Sequence, residues 1–314
     1  MRTLSLILWI MAVFWPTASQ AEPRFALRMG VTCNTCHINP TGGGARTTYG
    51  RTVFEAMQLP MEISAPTFDP TIADKVAVGA DFRLAYLTQF LQAELEAEEA
   101  APAAGLFVGL PSGSAFFPMQ ADLYVNAAVH ENVTLYTDIG AGGSFEVFGL
   151  AHDLPLGSYI KVGFFMPPYG WKIPNHSAAH RQPIGWDPRS KDAGVEVGLV
   201  QPWLELAAAV QNGETGGSPL DSLDGKSASG RAAFWLKTDP INLVLGGSVY
   251  RRTDIEEDDR GDDLVSNELR TGPFIGAAAW QLQYLAEADW RRTADGTDPL
   301  PNGGARVSGT LVTY

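Results

Sequence analysis

The sequence predicts an all-β chain, an antiparallel up-and-down transmembrane β-barrel of about twelve strands behind a small, mostly helical or irregular segment. Three observations carry this. Beyond residue 77 apolar and polar residues alternate with period two, as where Met119, Ala121, Leu123, Val125, Ala127 and Val129 alternate with Gln120, Asp122, Tyr124, Asn126, Ala128 and His130. Tight breaks at 131–132, 201–202 and 238–240 alternate with long polar stretches near 212–228, 252–268 and 292–304, short on one side and long on the other. The polar strand face carries Asp, Glu, Gln and Arg, which suits a wet lumen better than a packed interior. A periplasmic sandwich or a lipocalin-like cup is the competing architecture.

Residues 1–21 read as a secretory signal peptide. Arg2 precedes the apolar run Leu4 to Trp15, and Ser19 with Ala21 supplies the small-x-small pattern for cleavage before Glu22. The run is too short for a membrane span. An uncleaved anchor is the alternative.

Residues 22–59 form the next unit, and they contain the only two cysteines of the 314 residues, in Cys33-Asn34-Thr35-Cys36-His37. This is the spacing for covalent attachment of one haem c, in which two thiols add across the porphyrin vinyl groups and the adjacent His37 gives its imidazole to iron as proximal axial ligand. A dithiol pair should sit in a βαβ unit, and a zinc site needs further nearby ligands, yet the next histidine is His130. Gly42, Gly43 and Gly44 follow, either for close approach to a flat cofactor or as a flexible connection. Val53 and Met57 stand at helical spacing, which predicts a short helix packed on the haem. Met57 or Met61 is the candidate distal ligand, with ordinary packing as the other role for each. His152, His176 and His180 are further candidates if the segment plugs the lumen, although Pro174 places the last two in a loop.

Pro60, Pro66 and Pro70 mark residues 60–76 as a linker. The barrel then spans 77–314, with strands expected at about 77–91, 116–130, 133–141, 144–151, 158–165, 191–200, 203–211, 229–237, 241–251, 269–277, 280–291 and 304–314. An even count puts both ends in the periplasm. The last strand runs to Tyr314 itself, the pattern of a truncated sequence. Within 280–291 only Leu285 breaks the polar face.

A formal net charge of −13 disfavours nucleic acid as a partner. No later stretch of about eighteen apolar residues supports a helical membrane protein. No nucleotide-binding glycine pattern follows a strand and no nucleophile, base and acid can be assembled, so hydrolytic catalysis has no support. The acidic runs Glu94 to Glu99 and Asp254 to Asp263 read as external loops, which either concentrate cations or keep the surface soluble.

With these features in place, the chain resembles the fused monohaem cytochrome c-porins of the bacterial outer membrane, the group that includes the iron-oxidising fusions. The likeness is clearest over Pro23 to His37, continues in Asn39 to Gly44, and returns in Ile160 to Gly170, which is similar to a strand and loop of phosphate-selective-type porins. The resemblance implies Cys33 and Cys36 as haem thioether anchors and His37 as the ligand of haem iron. It implies an electron carrier, with metal (iron) oxidoreductase activity as an extension, acting between an extracellular redox partner or metal ion and periplasmic c-type cytochromes. The chain is shorter than such fusions usually are, and no residue in it identifies iron as donor. A passive porin with a structural haem segment and a soluble periplasmic β-sandwich haem protein are the alternatives.

Overall fold

The computed structural model describes residues 23–51, 71–73, 75–89, 113–140, 145–172, 190–213, 225–257, 263–280, 282–295 and 306–313. Residues 1–21, Met57, Met61, His176, His180, most of the 60–76 linker and the acidic run at 94–99 lie outside these ranges.

The β-strands are β1 (Thr71–Ile72), β2 (Val76–Gln89), β3 (Gly113–His130), β4 (Val133–Gly140), β5 (Phe145–Leu154), β6 (Ser158–Phe165) and β7 (Asp192–Gln201). They continue as β8 (Leu204–Gln211), β9 (Ser227–Thr238), β10 (Ile241–Glu257), β11 (Asp263–Ala279), β12 (Leu282–Asp295) and β13 (Arg306–Thr313). All thirteen lie in one sheet, each beside its neighbour in sequence. Every pairing is antiparallel. The chain is therefore mostly antiparallel β, with twelve longer strands and a two-residue first strand. Among the described residues no second sheet exists to make a sandwich, and no ladder joins β13 to β2.

The long polar stretch expected at 252–268 is mostly strand. The β10–β11 ladder runs through Asp254↔Ser266 to Glu257↔Asp263. A ladder satisfies backbone N–H and C=O whatever the side chains are, so strands can continue through an acidic run. The short turns fall within one residue of the expected breaks, at 131–132, 202–203 and 239–240.

The sheet is strongly curled. Met166 N–H donates to Glu146 on β5 at 3.1 Å, and three residues later the Tyr169 hydroxyl donates to Asp289 on β12 at 2.9 Å. In a flat sheet strands seven places apart are about 34 Å distant, whereas three residues span at most about 11 Å. The same face of β5 and β12 must therefore curve toward a shared interior.

That interior holds the core and most of the buried charge. Lys161 and Glu196, both 0% exposed, stand directly opposite each other on β6 and β7 and pair at 2.8 Å. Glu146, Glu205, Arg270, Glu287 and Asp289 are buried on the same face. The outward positions are apolar and open: Phe82 is 70% exposed and Val210 59%, with Leu135, Val197, Leu206 and Leu245 also exposed.

Candidate functional site

The Cys-His turn is placed by a short helix and a tight hairpin. Helix α1 (Pro23–Met29) buries Leu27 against Trp171, Trp235, Val244, Phe274 and Leu285. Leu285, the one apolar residue on the polar face of its strand, is thus part of the seat for α1. The helix ends at Gly30, whose φ of +62° allows Val31 N–H to reach Ala26 O at 3.0 Å and Gly30 N–H to reach Leu27 O at 3.2 Å.

Cys33–Thr35 then form one 3₁₀ turn, closed by Cys36 N–H to Cys33 O at 3.2 Å and followed by His37 N–H to Cys33 O at 3.0 Å. Positions three apart in such a turn fall on one side, so Cys33 and Cys36 share a face. Both thiols are free, and Cys33, Cys36 and His37 each retain accessible surface. Across the turn, His37 bridges Arg46, Ile38 N–H donates to Ala45 O at 3.0 Å, and Thr47 holds Cys36 O through its N–H at 3.0 Å. The Thr47 hydroxyl donates to Thr35 O at 2.8 Å and accepts from Gly50 N–H at 3.1 Å. Residues 48–51 are helical from there, and Val53 and Met57, through which a short helix is expected, lie outside the described residues.

Gly42, Gly43 and Gly44 are packed, with φ values of +87°, +81° and +66°. A Cβ at Gly42 would come within 3.5 Å of the Cys33 sulfur, and one at Gly44 would overlap the Tyr136 hydroxyl. They bring backbone against the Cys33 sulfur and against the Tyr136 hydroxyl, where a side chain would collide.

The curled sheet grips this unit from several strands. Tyr136 on β4 accepts from Ala45 N–H at 3.2 Å. Lys161 reaches Asn39 Oδ1 at 3.3 Å, lies 4.4 Å from the centre of the Phe165 ring, and ties the loop to Glu196. Asn39 is 1% exposed and also accepts from the Thr41 hydroxyl at 3.0 Å. Residues Met166 to Lys172 cross the interior as a strap. Gly170 N–H donates to Ser248 at 2.8 Å, Gly170 O accepts from Arg231 at 3.0 Å, and Trp171 N–H donates to Glu287 at 2.9 Å. Lys172 meets Glu146 at 3.7 Å and lies 3.3 Å from the Cβ position of Gly43.

These surroundings tune the donors. Burial, reinforced by Glu205, pushes the Cys33 thiol up to about 12 against the opposing charges of Arg231 and Lys172. Burial raises Cys36 more than Arg46 lowers it. Burial, assisted by Arg46, brings His37 down to about 4, so its imidazole is neutral at pH 7, the form that ligates a metal. The Gly43 and Gly44 backbone beside the His37 ring opposes that shift without cancelling it.

Free thiols on one face, partly open and beside a neutral imidazole, fit covalent haem. Among the described residues no group of three or more His, Cys, Asp or Glu converges. His152 is engaged elsewhere: Nε2 contacts the Thr134 hydroxyl at 3.2 Å and Nδ1 contacts Asp153 at 2.7 Å. Met57, Met61, His176 and His180 lie outside the described residues, so no distal ligand is placed.

Sequence reasoning assigned no role to Lys161, Glu196, Glu205 or Arg231, and marked most of the strap only as part of the porin-like Ile160 to Gly170. Lys161 alone left a signal, a single cation within the otherwise apolar Tyr159 to Phe165. Comparison of the chain with protein-family models, curated proteins and solved structures finds no match.

Proposed function

We propose that this chain is a c-type haem electron-transfer protein of the bacterial outer membrane, in which a barrel holds one covalent haem within reach of redox partners on both sides. The observation that carries the reading is a Cys-x-x-Cys-His turn with free thiols and a neutral imidazole, set inside a curled sheet that is charged within and apolar without. Outward apolar side chains suit lipid tails, and inward ion pairs suit a filled, polar lumen. Bound at this turn, haem would supply a one-electron ferric/ferrous couple.

The chain's own residues would do the placing. Cys33 and Cys36 would anchor the ring edge, His37 would give the proximal nitrogen, and Lys161, Asn39 and Tyr136 would hold the loop still. The strap Met166–Lys172 crosses the space a solute would need, which favours electron passage over a passive porin. Periplasmic c-type cytochromes would complete the path on one side and an extracellular donor or acceptor, iron among the candidates, on the other.

Cell fractionation with haem staining of denaturing gels tests cofactor and location together. The expected result is a haem-stained band in the outer-membrane fraction that Cys36→Ala abolishes. Staining unchanged in Cys36→Ala, or recovery in the soluble periplasm, would overturn the reading.

A further inference from the structure

We propose that the buried pair Glu205–Arg231 is the charge couple that sets the redox potential of a haem held at Cys33, Cys36 and His37. The inference rests on the haem reading above and assigns tuning residues to that site.

Both residues project from the inner face, Glu205 from β8 and Arg231 from β9, and their carboxylate and guanidinium meet at 2.9 Å. Their side chains are 7% and 11% exposed, so water screens neither well. Arg231 is fixed from three sides. It donates to Glu205, donates to the strap at Gly170 O at 3.0 Å, and lies 4.8 Å from the centre of the Phe274 ring. Glu205 is satisfied through one oxygen only, since Oε1 is buried with no hydrogen-bond partner. A buried carboxylate with a bare oxygen is costly, and persists where positive charge compensates it.

The strap links the pair to the anchoring turn, since Arg231 holds Gly170 O. Two residues after Gly170, Lys172 packs on Gly43, and the adjacent Gly42 abuts the Cys33 sulfur. At that sulfur the two charges act with opposite sign, Glu205 raising the thiol and Arg231 lowering it. Lys172 faces Glu146, and Arg46 stands across the hairpin beside His37.

Ferric haem becomes ferrous by gaining one electron, so a nearby anion favours the ferric state and a nearby cation the ferrous state. With the pair intact the two influences oppose each other. Removing one leaves the other uncompensated in a poorly screened interior, and the potential should move in opposite directions for the two substitutions.

The test is a reductive titration of the purified holoprotein in detergent, followed by its haem absorbance. Glu205→Gln should raise the midpoint potential and Arg231→Gln should lower it. Arg231→Lys should stay near wild type, and Glu205→Gln combined with Arg231→Gln should return toward it. Should Arg231→Gln not fold, the step from Glu205→Gln to the double variant reads the same cation. Opposite shifts with return in the double variant support the proposal. Shifts of the same sign, or no shift in variants that stain equally for haem, overturn it. A wild type that carries no haem overturns the underlying reading instead.

Discussion

The two faces of one strand obey opposite rules. On β6, Lys161 is fully buried between Phe148 and Phe165, while its neighbours Ile160 and Val162 are 42% and 53% exposed. On β12, Glu287 and Asp289 are buried while Trp290 stands 45% exposed. In a water-soluble domain this arrangement would spend free energy twice, once on desolvated charge and once on hydrated hydrocarbon. It becomes favourable when the outer solvent is lipid and inner charges are paired across strands. The inner face also explains its own exceptions, since Leu285 and Val244 are apolar where α1 lies on them.

The comparison breaks hardest at the centre. Lys161→Met leaves Glu196 buried without its cation and should cost about 3–5 kcal/mol, whereas adding Glu196→Gln should recover much of the loss. Urea unfolding in detergent or vesicles measures both, and equal losses in single and double variants would count against a stabilising pair.

Next is Val125, which pairs with Thr137 on the outward face of β3, beside the inward Asn126 opposite Tyr136. Near mid-membrane, Val125→Arg should cost about 2–4 kcal/mol and Asn126→Arg much less. Single cysteines introduced at these positions in haem-loaded protein sharpen the result. A lipid-phase probe should label position 125 and an aqueous probe position 126, and a position 125 shielded from both would contradict the membrane face.

Tyr169→Phe removes the strap's hydroxyl from Asp289 and should cost about 1.5–3 kcal/mol. Its bilayer conductance tests whether the strap seals the interior; the wild type should pass little ion current. The smallest effect belongs to Leu206, outward and 41% exposed, where Leu206→Ala should change stability by no more than about 0.5 kcal/mol.

Strand positions were legible because period-two alternation is local. Ser158–Phe165 begins and ends where expected. The extent of β10 and β11 was not, because their acidic ends, Asp254 to Glu257 and Asp263, carry no apolar pattern and are ordered by backbone pairing. The cysteines and His37 were legible because one turn contains all three. The Glu205–Arg231 pair is 26 positions apart in sequence and becomes adjacent only when β8 and β9 align. The strap was invisible to periodicity because it binds mainly through backbone N–H and C=O groups, which every sequence has.

The nesting of the N-terminal turn beneath late strands also imposes a chronology. Helix α1 contacts β10, β11 and β12, the elements completed near the end of the chain. Thioether formation needs a nucleophilic thiol, and the packed environment that pushes Cys33 to about 12 keeps it protonated. A cofactor joined here would therefore have to be attached while the segment is still open, before the last strands arrive.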